Sequence, residues 1–185
     1  MPPLPAGSVA HPARARSAAD GLRCALCAVG KWFFPRRPGG ATLDLTEHDA
    51  RRLLAGAPVA RLATVTEAGR PHIVPVTFAV EGDHIYTAVD AKPKKATAGS
   101  LRRLRNIRGN PRVAVLADRY HDDWASLWWV RADGIASILE DPQLAAAPVA
   151  LLRRRYQQYR DLPPGGPVIA ITVERWTGWA ASAPT

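Results

Sequence analysis

The segment from Ala91 to Arg112 reads AKPKKATAGSLRRLRNIRGNPR. It holds eight basic residues, Lys92, Lys94, Lys95, Arg102, Arg103, Arg105, Arg108 and Arg112, and no acidic one. A guanidinium grips phosphate as a bidentate fork, an amide donates, and an ammonium adds a point charge. On a helix starting near Ser100, Arg103 and Asn106 stand one turn apart and project together. Lys94, on the extended segment before it, reaches the same point. The chemistry implied is anion binding. A row of arginines also serves as a plain solvated face, but the complete absence of acids here favours a ligand.

Other residue types that carry chemistry are sparse. The only cysteines, Cys24 and Cys27, form a CxxC. A zinc site needs two further ligands at a related spacing, and His11 and His48 do not supply them, so the pair reads as incidental. The chain has no GxGxxG, no GxxxxGK[ST] and no HExxH. His48, His72, His84 and His121 are scattered without metal-ligand spacing, and Asp122-Asp123 reads as a loop. An activated nucleophile and metal chemistry both find little support. A cofactor would therefore carry the hard chemistry, with the protein binding its anionic tail and orienting a ring. His72 is the one candidate proton donor. Trp124, Trp128, Trp129, Trp176 and Trp179 crowd the last third. Most read as core or interface rings; Trp124, in the polar stretch RYHDDWAS, is the candidate to cover a flat ligand.

The elements that must position these residues begin near residue 41. Residues 1–40 carry a net charge of +5 out of +9 for the chain, are rich in Pro, Gly, Ala and Arg, and show no sustained period. They read as a disordered or wrongly included extension. Thr46 and Asp49 mark a capped helix with Leu45, Ala50, Leu53 and Leu54 on its apolar side. PVARLATVT alternates as a strand and turns at Glu67–Arg70. PHIVPVTFAV follows, and its Pro71 and Pro75 predict an edge or a bulge. HIYTAV is a third strand. The basic helix comes next, capped by Thr97 or Ser100, with Leu101, Leu104 and Ile107 on its apolar side and Gly109-Asn110-Pro111 at its end. RVAVLAD is a strand, ASLWWVRADGIASILE a long strand or a hairpin, DPQLAAAPVALLRRRYQQYRD a helix interrupted near Pro148, and GPVIAITVERWTGWAA a closing strand. Six strands joined by tight turns must be antiparallel. With helices at the ends they predict a mainly β, α+β split barrel in residues 41–185, an open antiparallel sheet being the alternative. No run of eighteen apolar residues exists, so no membrane span is expected.

Three stretches together, ARLATVTEAGRPHIVPVTFAVEGDHIYTAVDAKPKK, LRRLRNIRGNPRVAVLAD and DDWASLWWVRADGIASILE, resemble the pyridoxamine-phosphate-oxidase-like, FMN-binding split-barrel superfamily, and more narrowly its actinobacterial deazaflavin-dependent branch. The resemblance covers about residues 43–180. It implies a homodimer with two cofactor sites at the interface. Matched position by position, it implies that Lys94, Arg103 and Asn106 hold the phosphate and that Thr87 lies near that end. The ring would run along Ile73, Val74, Pro75, Val76 and Thr77, and Trp124 would cover it from the partner subunit. Extra residues between Lys95 and Leu101 loosen the register of Lys94 against Arg103.

FMN carries one phosphate, whereas the deazaflavin coenzyme F-420 carries a phosphodiester and an oligoglutamate tail. Eight basic residues suit the extended anion, since each close pair is worth about 1–4 kcal/mol before desolvation. The expectation is thus a cytoplasmic, deazaflavin-dependent oxidoreductase passing a hydride to a small unsaturated or quinone-like acceptor. The alternatives are an FMN enzyme of the same fold and a non-catalytic cofactor carrier. Nucleic-acid binding is disfavoured, because the basic band lacks interleaved aromatics.

Overall fold

The computed structural model describes residues 43–90 and 101–183. The readings made for residues 1–40, for Cys24 and Cys27, and for Lys92, Lys94, Lys95, Thr97 and Ser100 lie outside the described residues.

Eight strands form one antiparallel sheet: β1 (Leu43–Asp44), β2 (Ala60–Val65), β3 (Pro71–Val76), β4 (Ala79–Glu81), β5 (His84–Ala88), β6 (Arg112–Arg119), β7 (Trp128–Leu139) and β8 (Val168–Ala180). Helices α1 (Glu47–Gly56), α2 (Arg102–Gly109), α3 (Pro142–Arg155) and α4 (Gln158–Asp161) flank it. The sheet order is β3-β2-β6-β7-β8-β5-β4, with β1 added on β8. Six strands were expected. The two further ones are the two-residue β1 and β4, which arises because the predicted second strand breaks at Thr77-Phe78.

That break is what makes the barrel split. The two ends of the sheet path are β3 and β4, yet Val76 and Ala79 are only three residues apart along the chain. They therefore lie within about 11 Å of each other, so the sheet must curl until its edges approach. No ladder joins β3 to β4. Instead the Tyr156 hydroxyl serves the crossover. It accepts from the Phe78 N–H at 3.0 Å and lies 3.0 Å from the carbonyl oxygens of Phe78 and Pro58. Pro75 sits in β3, an edge strand, where its missing N–H breaks no second ladder.

The core fills the inside of the curl. Leu54, Leu62, Phe78, Ile85, Leu104, Val115, Val130, Ile169 and Ile171 are at most 1% exposed, and each contributes about 1.5–3 kcal/mol of burial. Thr46 caps α1 as expected, its Oγ1 accepting from the Asp49 N–H at 3.1 Å. The other end of α1 is held by Arg155, whose guanidinium donates to the carbonyls of Ala55 and Ala57 and lies over the Phe78 ring, 4.8 Å from its centroid.

Two helix readings are corrected. Leu101 is the N-cap of α2 and makes no side-chain cap bond. Helix α3 runs unbroken through Pro148, and its end falls at Tyr156, which is extended. Arg155 and Tyr156 bind the α1 end and the Phe78 crossover, and those tertiary contacts, rather than the proline, set the break. β7 is one long strand and not a hairpin, with a register shift against β8 between Asp133 and Gly134.

Candidate functional site

A cleft of about 220 Å³ opens where β3, the end of β5 and α2 meet. Its walls include Pro75, Val76 and Thr77 from β3 and its exit, Thr87 and Ala88 from β5, and Arg103 from α2. The topology explains the grouping. β3 and β5 are separated by four strands around the sheet path, and only the curl of the barrel and the α2 crossover bring them to one place.

Arg103 is half-buried at the rim. Burial pushes its pKa below the usual arginine value, and the negative charge of Asp90, with a smaller contribution from Tyr159, pulls the other way. The guanidinium still remains protonated. Asp90 and Val59 complete the cleft wall. The Tyr159 hydroxyl donates to Asp90 Oδ1 at 2.5 Å, and Thr77 Oγ1 lies 2.7 Å from the same hydroxyl. Since the one phenolic hydrogen goes to the carboxylate, Thr77 is the donor in the second bond. Tyr159 thus fixes both the acid and the threonine of the cleft.

These surroundings hold the Tyr159 pKa at about 12, up from 10.0, first through burial and second through the bond to Asp90. The folded protein binds that proton more tightly than the unfolded chain does. The resulting stability is complete below pH 10 and drains away as pH rises from 10 to about 12. Urea unfolding at a series of pH values in that window should show wild type losing stability faster than Tyr159→Phe. At neutral pH the variant should be about 1–3 kcal/mol less stable, through loss of the hydroxyl's bonds to Asp90 and Thr77. Parallel pH curves for the two proteins would contradict this account.

The predicted residues divide clearly. Arg103, Thr87, Pro75, Val76 and Thr77 share the cleft. Lys94 lies outside the described residues. Ile73 is 63% exposed on β3, and Val74 packs against the core; neither lines the cleft. Trp124 is 56% exposed at the start of a 3-10 turn and also lies off the cleft of its own chain. His72, half-buried in β3, has Nδ1 3.4 Å from Thr64 Oγ1. Asn106 turns inward: it is 6% exposed, and its Nδ2 donates to the buried Thr64 Oγ1 at 2.9 Å. One helical turn does align Arg103 and Asn106, but the short amide reaches the sheet while the long arginine reaches the rim. Asn106→Ala should therefore cost about 1–3 kcal/mol of stability and leave affinity for any cleft ligand within about twofold. A calorimetric titration of the variant checks this, and a large loss of affinity would put Asn106 back in the site.

Asp90, Tyr159 and Val59 were missed from the sequence. The signals were an acid placed directly before the acid-free run and the i, i+3 tyrosine pair in YQQYRD.

The mixture of an anion-gripping arginine with apolar strand residues suits a phosphorylated ring compound. The profile of the pyridoxamine 5'-phosphate oxidase family matches residues 46–180. The chain belongs to the pyridoxamine 5'-phosphate oxidase family. No curated protein matches it. Among solved structures of this split-barrel fold, an FAD-binding protein from Mesorhizobium loti is 24% identical, with 76% of this chain and 99% of that chain covered and a TM-score of 0.58. A heme storage protein from Vibrio cholerae is 18% identical, covering 73% and 93%, with a TM-score of 0.56. An FAD-binding protein from Mycobacterium smegmatis is 20% identical, covering 75% and 96%, with a TM-score of 0.50. Among the described residues no group of three or more His, Cys, Asp or Glu could hold a metal ion, and no helix is long and apolar enough to cross a membrane. The family's phosphorylated ring cofactor fits the cleft chemically: a half-buried cation stands at one side and Pro75, Val76 and Val59 offer an apolar wall.

Proposed function

We propose that this family member is a cytoplasmic, homodimeric oxidoreductase. Its Arg103 cleft takes the phosphate of a flavin-type cofactor, with the deazaflavin coenzyme as the first reading and FMN as the second. The supporting observation is the convergence of Arg103, Thr87 and Pro75–Thr77 on one cleft. The FAD-binding relatives on the same fold support a ring-bearing cofactor. In this reading Arg103 grips phosphate, Thr87 borders it, and Pro75 and Val76 exclude water from one side of the ring. Trp124, exposed on its own chain, covers the ring of the partner subunit. When bound and reduced, the cofactor supplies a hydride to a small unsaturated or quinone-like acceptor, which takes its proton from solvent.

The deazaflavin reading leans on the acid-free run. Arg102 and Arg105 are exposed on α2, where the tail of an extended anion could meet them, and Lys92, Lys94 and Lys95 would add to them. A specific observation favours FMN as the second reading. Arg108 pairs with Glu140 at 2.6 Å and Arg112 lies 3.9 Å from Glu174, so part of the basic band already has acidic partners.

Titrating the full-length protein with each cofactor at matched ionic strength, followed by ligand fluorescence, decides between them. Tighter deazaflavin binding with turnover of a quinone supports the first reading, and tighter FMN binding supports the second. If neither binds, and random DNA binds with steep salt dependence, the oxidoreductase reading fails.

A further inference from the structure

The Tyr159 hydroxyl holds two cleft residues and also decides where their hydrogens lie. It donates to Asp90 Oδ1 at 2.5 Å and lies 2.7 Å from Thr77 Oγ1. A phenol has one hydrogen, and a carboxylate can only accept. Asp90 interacts elsewhere as well, and this leaves the direction unchanged. The Thr77 hydrogen is therefore spent on Tyr159, and the Thr77 oxygen keeps only lone pairs for the cleft it lines. The arrangement is rigid. Tyr159 is 8% exposed and meets Tyr156 edge to face, with ring centroids 5.7 Å apart. The Tyr156 hydroxyl in turn accepts at 3.0 Å from the N–H of Phe78, the residue after Thr77.

The cleft thus has two kinds of wall. Arg103 offers a fork of N–H donors, and Thr87 lines the same cleft with a hydroxyl that makes no such bond to a described residue. Phosphate oxygens only accept, so they match Arg103 and Thr87. Placed against Thr77 they would set lone pairs against lone pairs. The group that meets Thr77 must be a donor, and a site built around such a bond rejects analogues that lack it. Arg103 and Thr77 share one cleft of about 220 Å³. A phosphate ester on Arg103 therefore presents to Thr77 the chain that follows its phosphate, and an O–H on that chain is the matching group.

We propose that Tyr159 makes Thr77 an acceptor-only residue, and that Thr77 thereby selects phosphate esters whose chain carries a hydroxyl donor beside the phosphate. This deepens the function proposed above and rests on it. Thr77 is the specificity residue, and Tyr159 is a positioning residue that acts through it.

The test uses three phosphate esters of similar chain: ribitol 5-phosphate, with hydroxyl donors; diethylene glycol monomethyl ether phosphate, with acceptors only; and pentyl phosphate, with neither. Each is titrated into the full-length protein by ligand-detected NMR. Thr77→Val should weaken ribitol 5-phosphate about three- to tenfold, the loss of one hydrogen bond, and leave the other two within about twofold. Thr77→Ser should restore the affinity. Tyr159→Phe returns the hydrogen to Thr77, which can then donate into the cleft. The ether phosphate should gain about threefold relative to pentyl phosphate, a ratio that cancels any change of charge around Asp90. A merely structural role for Tyr159 would weaken all three esters alike. Thr77→Val acting equally on all three or on none, or an ether-to-pentyl ratio unchanged in Tyr159→Phe, overturns the proposal. Arg103→Ala keeps the two ideas apart. If no ester binds wild type, or if Arg103→Ala leaves binding intact, the proposed function falls and the Thr77 assignment with it. Esters that bind through Arg103 with no response to Thr77→Val sink only the Thr77 assignment.

Discussion

Arg103→Ala weakens binding of the cofactor phosphate about 10- to 100-fold, the equivalent of losing a charge-assisted hydrogen-bonding pair worth about 1.5–3 kcal/mol. The position decides the size. Arg103 is half-buried at the cleft rim, where an ion pair is screened less than in open water. Arg105, on the same helix but exposed and off the cleft, serves as the comparison, and Arg105→Ala should change affinity for a single phosphate by less than about threefold. Arg103→Lys keeps the charge and loses the fork, so it should recover only part of the affinity. These values come from ligand fluorescence titrations at fixed ionic strength. Equal losses in the Arg103 and Arg105 variants would mean that the anion lies along the outer face of α2, and the cleft assignment would fall.

Gly134→Ala destabilises the barrel by about 3 kcal/mol, which places it among severe single substitutions. A Cβ on Gly134 would stand 2.3 Å from the Thr172 carbonyl oxygen, 3.0 Å from its carbon and 3.1 Å from the Val173 Cα. All three are backbone atoms of β8, so no side-chain rotation relieves the contact. The site lies at the register shift that lets β7 and β8 stay paired along their length, and such bulges bend a sheet towards closure. Relief would require β8 to move, and β8 also carries β5 and β1. Gly56→Ala is the control: it ends α1 with nothing within 4 Å of the new atom, and should be neutral or stabilising by up to about 1 kcal/mol. Urea unfolding measures both. If Gly134→Ala unfolds like wild type, the close approach of the two strands is not a fixed feature of the fold.

Gly134 also shows how far local sequence carries a reader. Asp-Gly between apolar runs is a strong hairpin signal, so ASLWWVRADGIASILE left strand and hairpin equally open. The partner strand settles it. β8 pairs with both halves of β7 across the register shift at Asp133/Gly134, and the glycine is used for close approach rather than for a turn. Pro148 is a parallel case. A proline within a helical pattern reads as a break, but the end of α3 is placed at Tyr156 by contacts to residues nearly eighty positions away in the chain.

What the sequence determined by itself was whatever depends on neighbouring residues. The Thr46 cap, the alternation of β2, the edge placement implied by Pro71 and Pro75, the apolar stripe of α2 and its stop at Gly109-Asn110 are all short-range effects, and they suffice for an antiparallel α+β barrel. Arg103, Thr87 and Pro75–Thr77 were legible as well, through the acid-free run and the family resemblance. Tertiary structure decided the rest. It turned Asn106 inward onto Thr64, gave Arg108 an acidic partner in Glu140, and brought Asp90 to Tyr159, sixty-nine residues further on. The reason is geometric: a helix fixes which residues share a face, whereas the distance from that face to a cleft rim is set by how a curled sheet closes on itself.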